Sequence, residues 1–322
     1  MDEQKHLNMK KVTATIAIFV FAFLIILGSA LITNKNTNNQ KQKNLEIKEP
    51  NTGKVSQTVE NKEEPNNKSE NINNENDNDK KNDNEVKNKV PVVQEPSNGK
   101  IPVSNPEAIE LCKQAQTSNE KNIYLTFDDG PSPNITPQIL DILKQYDVPA
   151  TFFVLGSRAE LYPDVLKREY NEGHYIANHG YSHKYSSMYS SVQSVIDEYN
   201  RTNLAIQNSI GNPNYNSFLF RFPGGSSGGP YNSLKQSAKK TLENMGIAST
   251  NWNCLTGDSE GVGRTKEQLL NRLYETAAPF DSLVVLMHDA DDKKATVEAL
   301  PEIIEHYKAE GYTFKNYYDI FK

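Results

Sequence analysis

Cysteine is nearly absent from these 322 residues. Cys112 and Cys254 are the only two, too few for a disulfide-stapled scaffold or a four-cysteine zinc module, although one bridge between them stays open in an oxidising compartment. Excess positive charge is missing as well. The 35 Lys and Arg against 41 Asp and Glu leave a net charge of −6, which argues against an extended basic surface for nucleic acid. Apolar residues are scarce, at 36% of the chain, so a sizeable part of it cannot build a core. Much of that part is visible from 34 to 105, where there is no aromatic residue and 12 Lys balance 12 Asp and Glu in a sequence dominated by Asn, Lys and Glu. Both signs are intermixed without blocks, which points to a solvated tether rather than a tail that folds on a partner. A coil of that length has an end-to-end distance of about 45 Å.

One long apolar run is present. Val12 to Thr33 is uncharged, with Lys10 and Lys11 before it and Lys35 after, and at 1.5 Å per residue it spans roughly 33 Å. It reads as a transmembrane helix: residues 1–11 are a short cytoplasmic N-terminus, 12–33 a single-pass anchor, 34–105 a disordered linker and 106–322 a folded extracellular domain. Gly28, Ser29 and Ala30 leave a cleaved signal peptide, and hence a secreted protein, as the alternative. Both readings export the domain.

Within 106–322, β-rich runs alternate with helical patterns. Strands are expected at 122–127, 150–155, 175–178, 218–221, 247–254, 283–287 and 312–315, with helices at 137–146, 162–171, 192–208, 233–244 and 265–276 and one more before the last strand. Thr136 and Pro137 read as N-cap and first helical residue, and Gly173, Gly246 and Gly311 as left-handed helix ends. The class is α/β with a parallel sheet, open or closed into a barrel.

The reactive residues fall where such folds carry their sites. Asp128 and Asp129, His179, Arg221, Asp258 and His288 each lie at or just past the end of a different expected strand. Asp128 and Asp129 precede Gly130, a common turn pair, yet two adjacent carboxylates off one strand also allow one to ligate a cation while the other takes a proton. His179 and His183, four residues apart, suit a shared divalent ion. Two imidazoles and a carboxylate leave coordination positions free, as a catalytic site requires. Arg221 opens a glycine-rich stretch without the lysine of a phosphate loop, and is expected to pair with a carboxylate. His288 leaves a buried strand as either a structural residue or a general acid. His6, His174 and His306 lack such settings and read as ordinary surface or interface residues.

Together, Thr126 to Gly130, His179 to His183, Arg221 to Gly225, Asp258 and Leu286-Met287-His288 resemble the five ordered motifs of the polysaccharide deacetylases, the NodB-homology enzymes of carbohydrate esterase family four. The resemblance covers roughly 122 to 321. It implies a distorted (β/α) barrel of about seven strands and metal-dependent removal of acetyl groups from sugars. By that resemblance Asp129, His179 and His183 hold one divalent ion, zinc first with cobalt or another as alternatives. Asp128 is then the base that deprotonates the attacking water, and His288 the acid that protonates the leaving amine. Arg221 orients Asp128, Asp258 orients His288, the Gly224 N–H completes an oxyanion site, and Trp252 and Leu286 wall the acetyl pocket. The chain departs from the pattern at Gly180, where Ser or Thr is usual, and at Gly224, which replaces an aromatic residue. It also departs around 255–259, where the first Asp and a Trp are missing, and these departures bear on subsite shape.

The leading expectation is therefore a monomeric, membrane-tethered peptidoglycan N-deacetylase acting on N-acetylglucosamine or N-acetylmuramic acid. An O-acetyl esterase acting on xylan or another wall polymer, and a non-catalytic glycan-binding module, are the alternatives.

Overall fold

A computed structural model describes residues 98–322. The expected N-terminus 1–11, the apolar run 12–33 and the linker as far as 97 lie outside the described residues. Residues 98–105 run along the domain: the Asn98 N–H donates to the Asn171 carbonyl and the Val103 N–H to that of Phe321, and the Asn105 side chain donates to the Ile320 carbonyl at 2.7 Å. The packed chain thus begins before Pro106.

The elements are α1 (Ala108–Thr117), β1 (Asn122–Asp128), α2 (Ile135–Tyr146), β2 (Thr151–Val154), α3 (Gly156–Leu161), α4 (Pro163–Asn171), β3 (Tyr175–Asn178) and α5 (Tyr185–Met188). They continue with α6 (Val192–Ile210), β4 (Leu219–Phe220), α7 (Asn232–Asn244), β5 (Ala248–Ser249), β6 (Cys254–Leu255), α8 (Lys266–Ala277), β7 (Leu283–His288), α9 (Lys294–Ala309), β8 (Thr313–Lys315) and a 3-10 turn, Tyr317–Asp319. Seven strands pair in the order β5-β4-β3-β2-β1-β7-β6, and β8 adds to β1. Every pairing is parallel. Because β7 runs along 123–128 of β1, β8 and β2 share its other edge, β8 at 122–124 and β2 at 126–128.

The sheet path ends on β5 and β6, which are consecutive in the chain and do not pair. The expected barrel is accordingly a half-barrel, with its seam where one strand was expected over 247–254. Residues 250–253 leave the ladder because their polar groups are engaged elsewhere. The Asn253 amide donates to the Gln116 and Ser282 carbonyls, and the Asn251 side chain bonds to Ser226.

Side-chain alternation sorts the core into two layers. Ile123, Leu125 and Phe127 of β1 pack outward with residues of α2, α8 and α9. Tyr124 faces inward, in a cluster with Phe153, Tyr175, Val284, Tyr317 and Phe321. Thr126 and Asp128 follow Tyr124 at intervals of two, so a carboxylate ends up inside the half-barrel, at the C-terminal ends of its strands.

Four local expectations change. The helices α1, α3 and α5 were not anticipated. Thr136 is not an N-cap: the Ser132 hydroxyl takes the amides of Ile135 and Thr136, and the Thr136 hydroxyl donates instead to Asp289 at 2.6 Å. His174 is buried, with Nδ1 accepting from the Ala150 N–H, whereas His306 is exposed. Both cysteines are free and buried. Gly173, Gly246 and Gly311 do take positive φ.

Candidate active site

The segments that follow two strands deliver the ligand-type side chains. Asp129 follows β1 with φ +77°, a turn that swings its carboxylate away from that of Asp128. His179 follows β3, and the loop to His183 is pinned at Gly180 (φ +81°) and His183 (φ +55°). His179 Nε2 lies 3.6 Å and His183 Nε2 3.3 Å from Asp129 Oδ1, and the three ligand atoms fall within 4.8 Å of one another.

The donor set fits a divalent cation. Asp129 Oδ1 is buried without a hydrogen-bond partner, a costly arrangement unless something positive meets it. His179 Nδ1 sits 2.7 Å from the Arg221 carbonyl. A carbonyl only accepts, so Nδ1 carries the proton and Nε2 presents a lone pair. Burial, opposed by the Asp129 charge, lowers the His179 pKa to about 3, which keeps the ring neutral.

Arg221 organises Asp128. It is fully buried, and it donates to Thr126 Oγ1 at 2.7 Å, Asp128 Oδ1 at 2.8 Å and the Asn251 carbonyl at 3.1 Å. Its guanidinium carbon lies 3.8 Å over the Phe153 ring and 5.8 Å from that of Trp252. Burial pushes the Asp128 pKa up, and the charge of Arg221 pulls against it. The net effect is a carboxyl group more basic than usual.

His288 sits on the neighbouring strand. His288 is the register partner of Asp128 across β1 and β7, and its Nδ1 bonds Asp258 Oδ1 at 2.8 Å. Asp258 also accepts from the His288 backbone N–H at 2.7 Å and from the Thr296 hydroxyl at 2.8 Å. Burial alone would lower the His288 pKa. The hydrogen bond and charge of Asp258, with Asp128 and Asp129 beyond, override it and raise the value to about 9.

The softer positions are less tightly gathered. Gly224 is exposed with φ +71°, and its N–H has no partner among the described residues. Trp252 lies beside Arg221 and 3.6 Å from where a side-chain carbon on Gly225 would sit. Leu286 is buried in β7, two residues before His288 and on the same face.

Sequence reasoning missed three supporting residues. Glu198 of α6 accepts from the Tyr181 and Ser182 N–H groups at 2.5 and 2.7 Å and from the Ser182 hydroxyl at 2.6 Å, clamping the loop between the two histidines. It also stands 3.4 Å from where a Gly180 side chain would begin, a reason for glycine there. Lys235 of α7, buried, donates to the Gly225 carbonyl at 2.8 Å. Tyr185 opens α5 against the His183 ring, at 5.4 Å between centroids. No spacing rule joins Glu198 and Lys235 to the motifs they serve, because those contacts cross between elements, whereas Tyr185 lies two residues past His183.

The chain compares with known proteins as follows. The sequence profile of the family described as Polysaccharide deacetylase matches residues 115–247. A peptidoglycan-N-acetylglucosamine deacetylase of Bacillus cereus is 32% identical over 205 residues, which cover 61% of this chain and 86% of that protein. PdaC of Bacillus subtilis, a peptidoglycan-N-acetylmuramic acid deacetylase, is 33% identical over 207 residues, covering 64% of this chain and 40% of that one. Among solved structures, a CE4 esterase of Streptococcus mutans matches with a TM-score of 0.58 at 35% identity, over 65% of this chain and 90% of its own.

Proposed function

The chain belongs to the polysaccharide deacetylase family, and on that premise we propose that it removes N-acetyl groups from amino sugars of cell-wall peptidoglycan in a metal-dependent hydrolysis that releases acetate. The observation that carries the reading is the pairing of two centres. Asp128, held by Arg221, stands beside Asp129, His179 and His183, with the Asp258-oriented His288 on the adjacent strand.

Asp129, His179 and His183 would hold the cation, zinc by the chemistry of a carboxylate and two imidazoles. When bound, it would polarise the acetyl oxygen and make a water molecule more acidic. The residues of the chain do the rest. Asp128 takes the proton from the attacking water, and the Arg221 pair keeps its carboxylate ionised and aimed. The free Gly224 N–H donates to the oxygen on which charge develops. Trp252 and Leu286 bound the acetyl group. His288, charged at neutral pH, delivers its proton to the amide nitrogen as the C–N bond breaks, leaving acetate and a free amine.

The apolar run 12–33 and the expected linker, shortened to 34–97 by the packing of 98–105 on the domain, complete the reading. A single-pass anchor, or a cleaved signal, would place the domain outside the membrane, and about 45 Å of coil would let a monomer sample nearby glycan strands.

The deciding experiment is acetate release by the full chain from purified peptidoglycan and from acetylated xylan, with zinc, after chelation, and with Asp128→Asn. Release from peptidoglycan that needs both zinc and Asp128 supports the proposal. Release from xylan alone moves the reaction to an O-acetyl ester.

A further inference from the structure

We propose that Tyr185 forms the aromatic wall of the sugar subsite at this centre, standing in space that a side chain at residue 224 would otherwise take. This inference rests on the glycan-deacetylase reading above and names the residue that would grip the ring being deacetylated.

The sequence leaves residue 224 without a side chain, which taken alone opens the groove. The fold closes it from another element. A side-chain carbon on Gly224 would lie 2.6 Å from the Tyr185 hydroxyl and 3.3 Å from the ring carbon that bears it. The space over Gly224 is therefore taken by the tip of the Tyr185 phenol, which a side chain there would have to displace, and φ +71° independently favours glycine.

Tyr185 is also suitably presented. It remains 38% exposed, its hydroxyl has no hydrogen-bond partner among the described residues, and its inner neighbour is the His183 ring. It is braced from behind. Tyr189, one turn on, packs against it at 5.6 Å between centroids, and the Tyr189 hydroxyl donates to the Pro223 carbonyl at 2.7 Å. The Lys235 ammonium lies 4.9 Å from the Tyr189 ring and 6.0 Å from that of Tyr185 while holding the Gly225 carbonyl. The glycine turn and α5 are thus one braced unit, with an apolar ring face and an unused hydroxyl beside the open Gly224 N–H. The ligand that matches is a pyranose whose C–H face covers the ring and whose hydroxyl or acetamido group meets the phenol.

The test uses the full chain and a chito-pentaose as probe, with two readouts: zinc-loaded acetate release, and equilibrium binding to metal-free protein. Tyr185→Ala should raise KM and Kd about tenfold while kcat stays within about threefold, and Tyr185→Trp, which keeps a ring, should restore most of the loss. Gly224→Ala should weaken binding, and should do so less in a Tyr185→Ala background, where the collision is gone. Tyr185→Ala with unchanged KM and Kd, or an equal Gly224→Ala penalty in both backgrounds, overturns the inference. A wild type that binds the probe but releases no acetate counts against the proposed reaction, and the Kd comparison then decides Tyr185 by itself.

Discussion

Arg221 and His179 are joined end to end: the imidazole Nδ1–H of His179 donates to the Arg221 main-chain carbonyl at 2.7 Å, while the Arg221 side chain holds Asp128 at 2.8 Å. One residue therefore sets the tautomer of a proposed ligand and the ionisation of the proposed base.

Replacing Arg221 should accordingly cost both stability and turnover. Arg221→Met leaves the Asp128 carboxylate buried without the guanidinium that bonds it, a loss of about 3–5 kcal/mol, and acetate release should fall by orders of magnitude. Arg221→Lys keeps the charge but not the reach to Thr126, Asp128 and Asn251 together, and should recover only part of either. Urea midpoints near that of the wild type for Arg221→Met would contradict this account.

The pH dependence follows from His288. Its folded pKa, about 9, lies above the ordinary imidazole value near 6.5. Protonation therefore stabilises the fold fully below about pH 6.5, by up to about 3 kcal/mol, and this contribution is lost as pH rises toward 9. Metal-free wild type should show falling urea midpoints across that window. Asp258→Asn should show a much smaller fall, and the alkaline limb of its kcat/KM profile should move to lower pH.

Glu198 should matter to metal affinity although it is no ligand. It fixes the Tyr181 and Ser182 amides between the two histidines. Glu198→Ala frees that loop and should weaken zinc binding about 10–100-fold, measured by competition with a chromogenic chelator. An unchanged zinc Kd would separate the clamp from the site.

Glu169 offers a gain. It is fully buried on α4 and neither carboxylate oxygen has a partner, and burial, reinforced by the Asp289 charge, pushes its pKa well up. A raised carboxyl pKa favours the folded state at low pH and works against it as pH rises. Glu169→Met should therefore stabilise the protein by about 1–3 kcal/mol at pH 8 and by much less at pH 5, which thermal unfolding at the two pH values would reveal.

Much of this site was legible because strands are short, apolar and punctuated, so the residues at their ends stand out in one dimension. Asp128, Asp129, His179, Arg221 and His288 were each assigned to a strand end that the fold bears out, and Asp258 lies three residues beyond the end of β6. The 247–254 segment misled, because its apolar and β-branched residues look like strand whereas its asparagines bond across the seam.

What the sequence determined by itself was the inventory: one long apolar run and a polar, aromatic-free stretch in composition, an alternating α/β order, and acids, imidazoles and one arginine in the positions where such folds place chemistry. What only the tertiary structure decided was who meets whom. Arg221 reaches Asp128 across 93 residues, His288 takes Asp258 across 30, and Tyr185 fills the space over Gly224 from a helix that no local pattern marked. Local pattern reports on neighbours within a turn or a pleat. The contacts that tune pKa values and shape a subsite are made between elements, and they form only when the sheet brings its strand ends together.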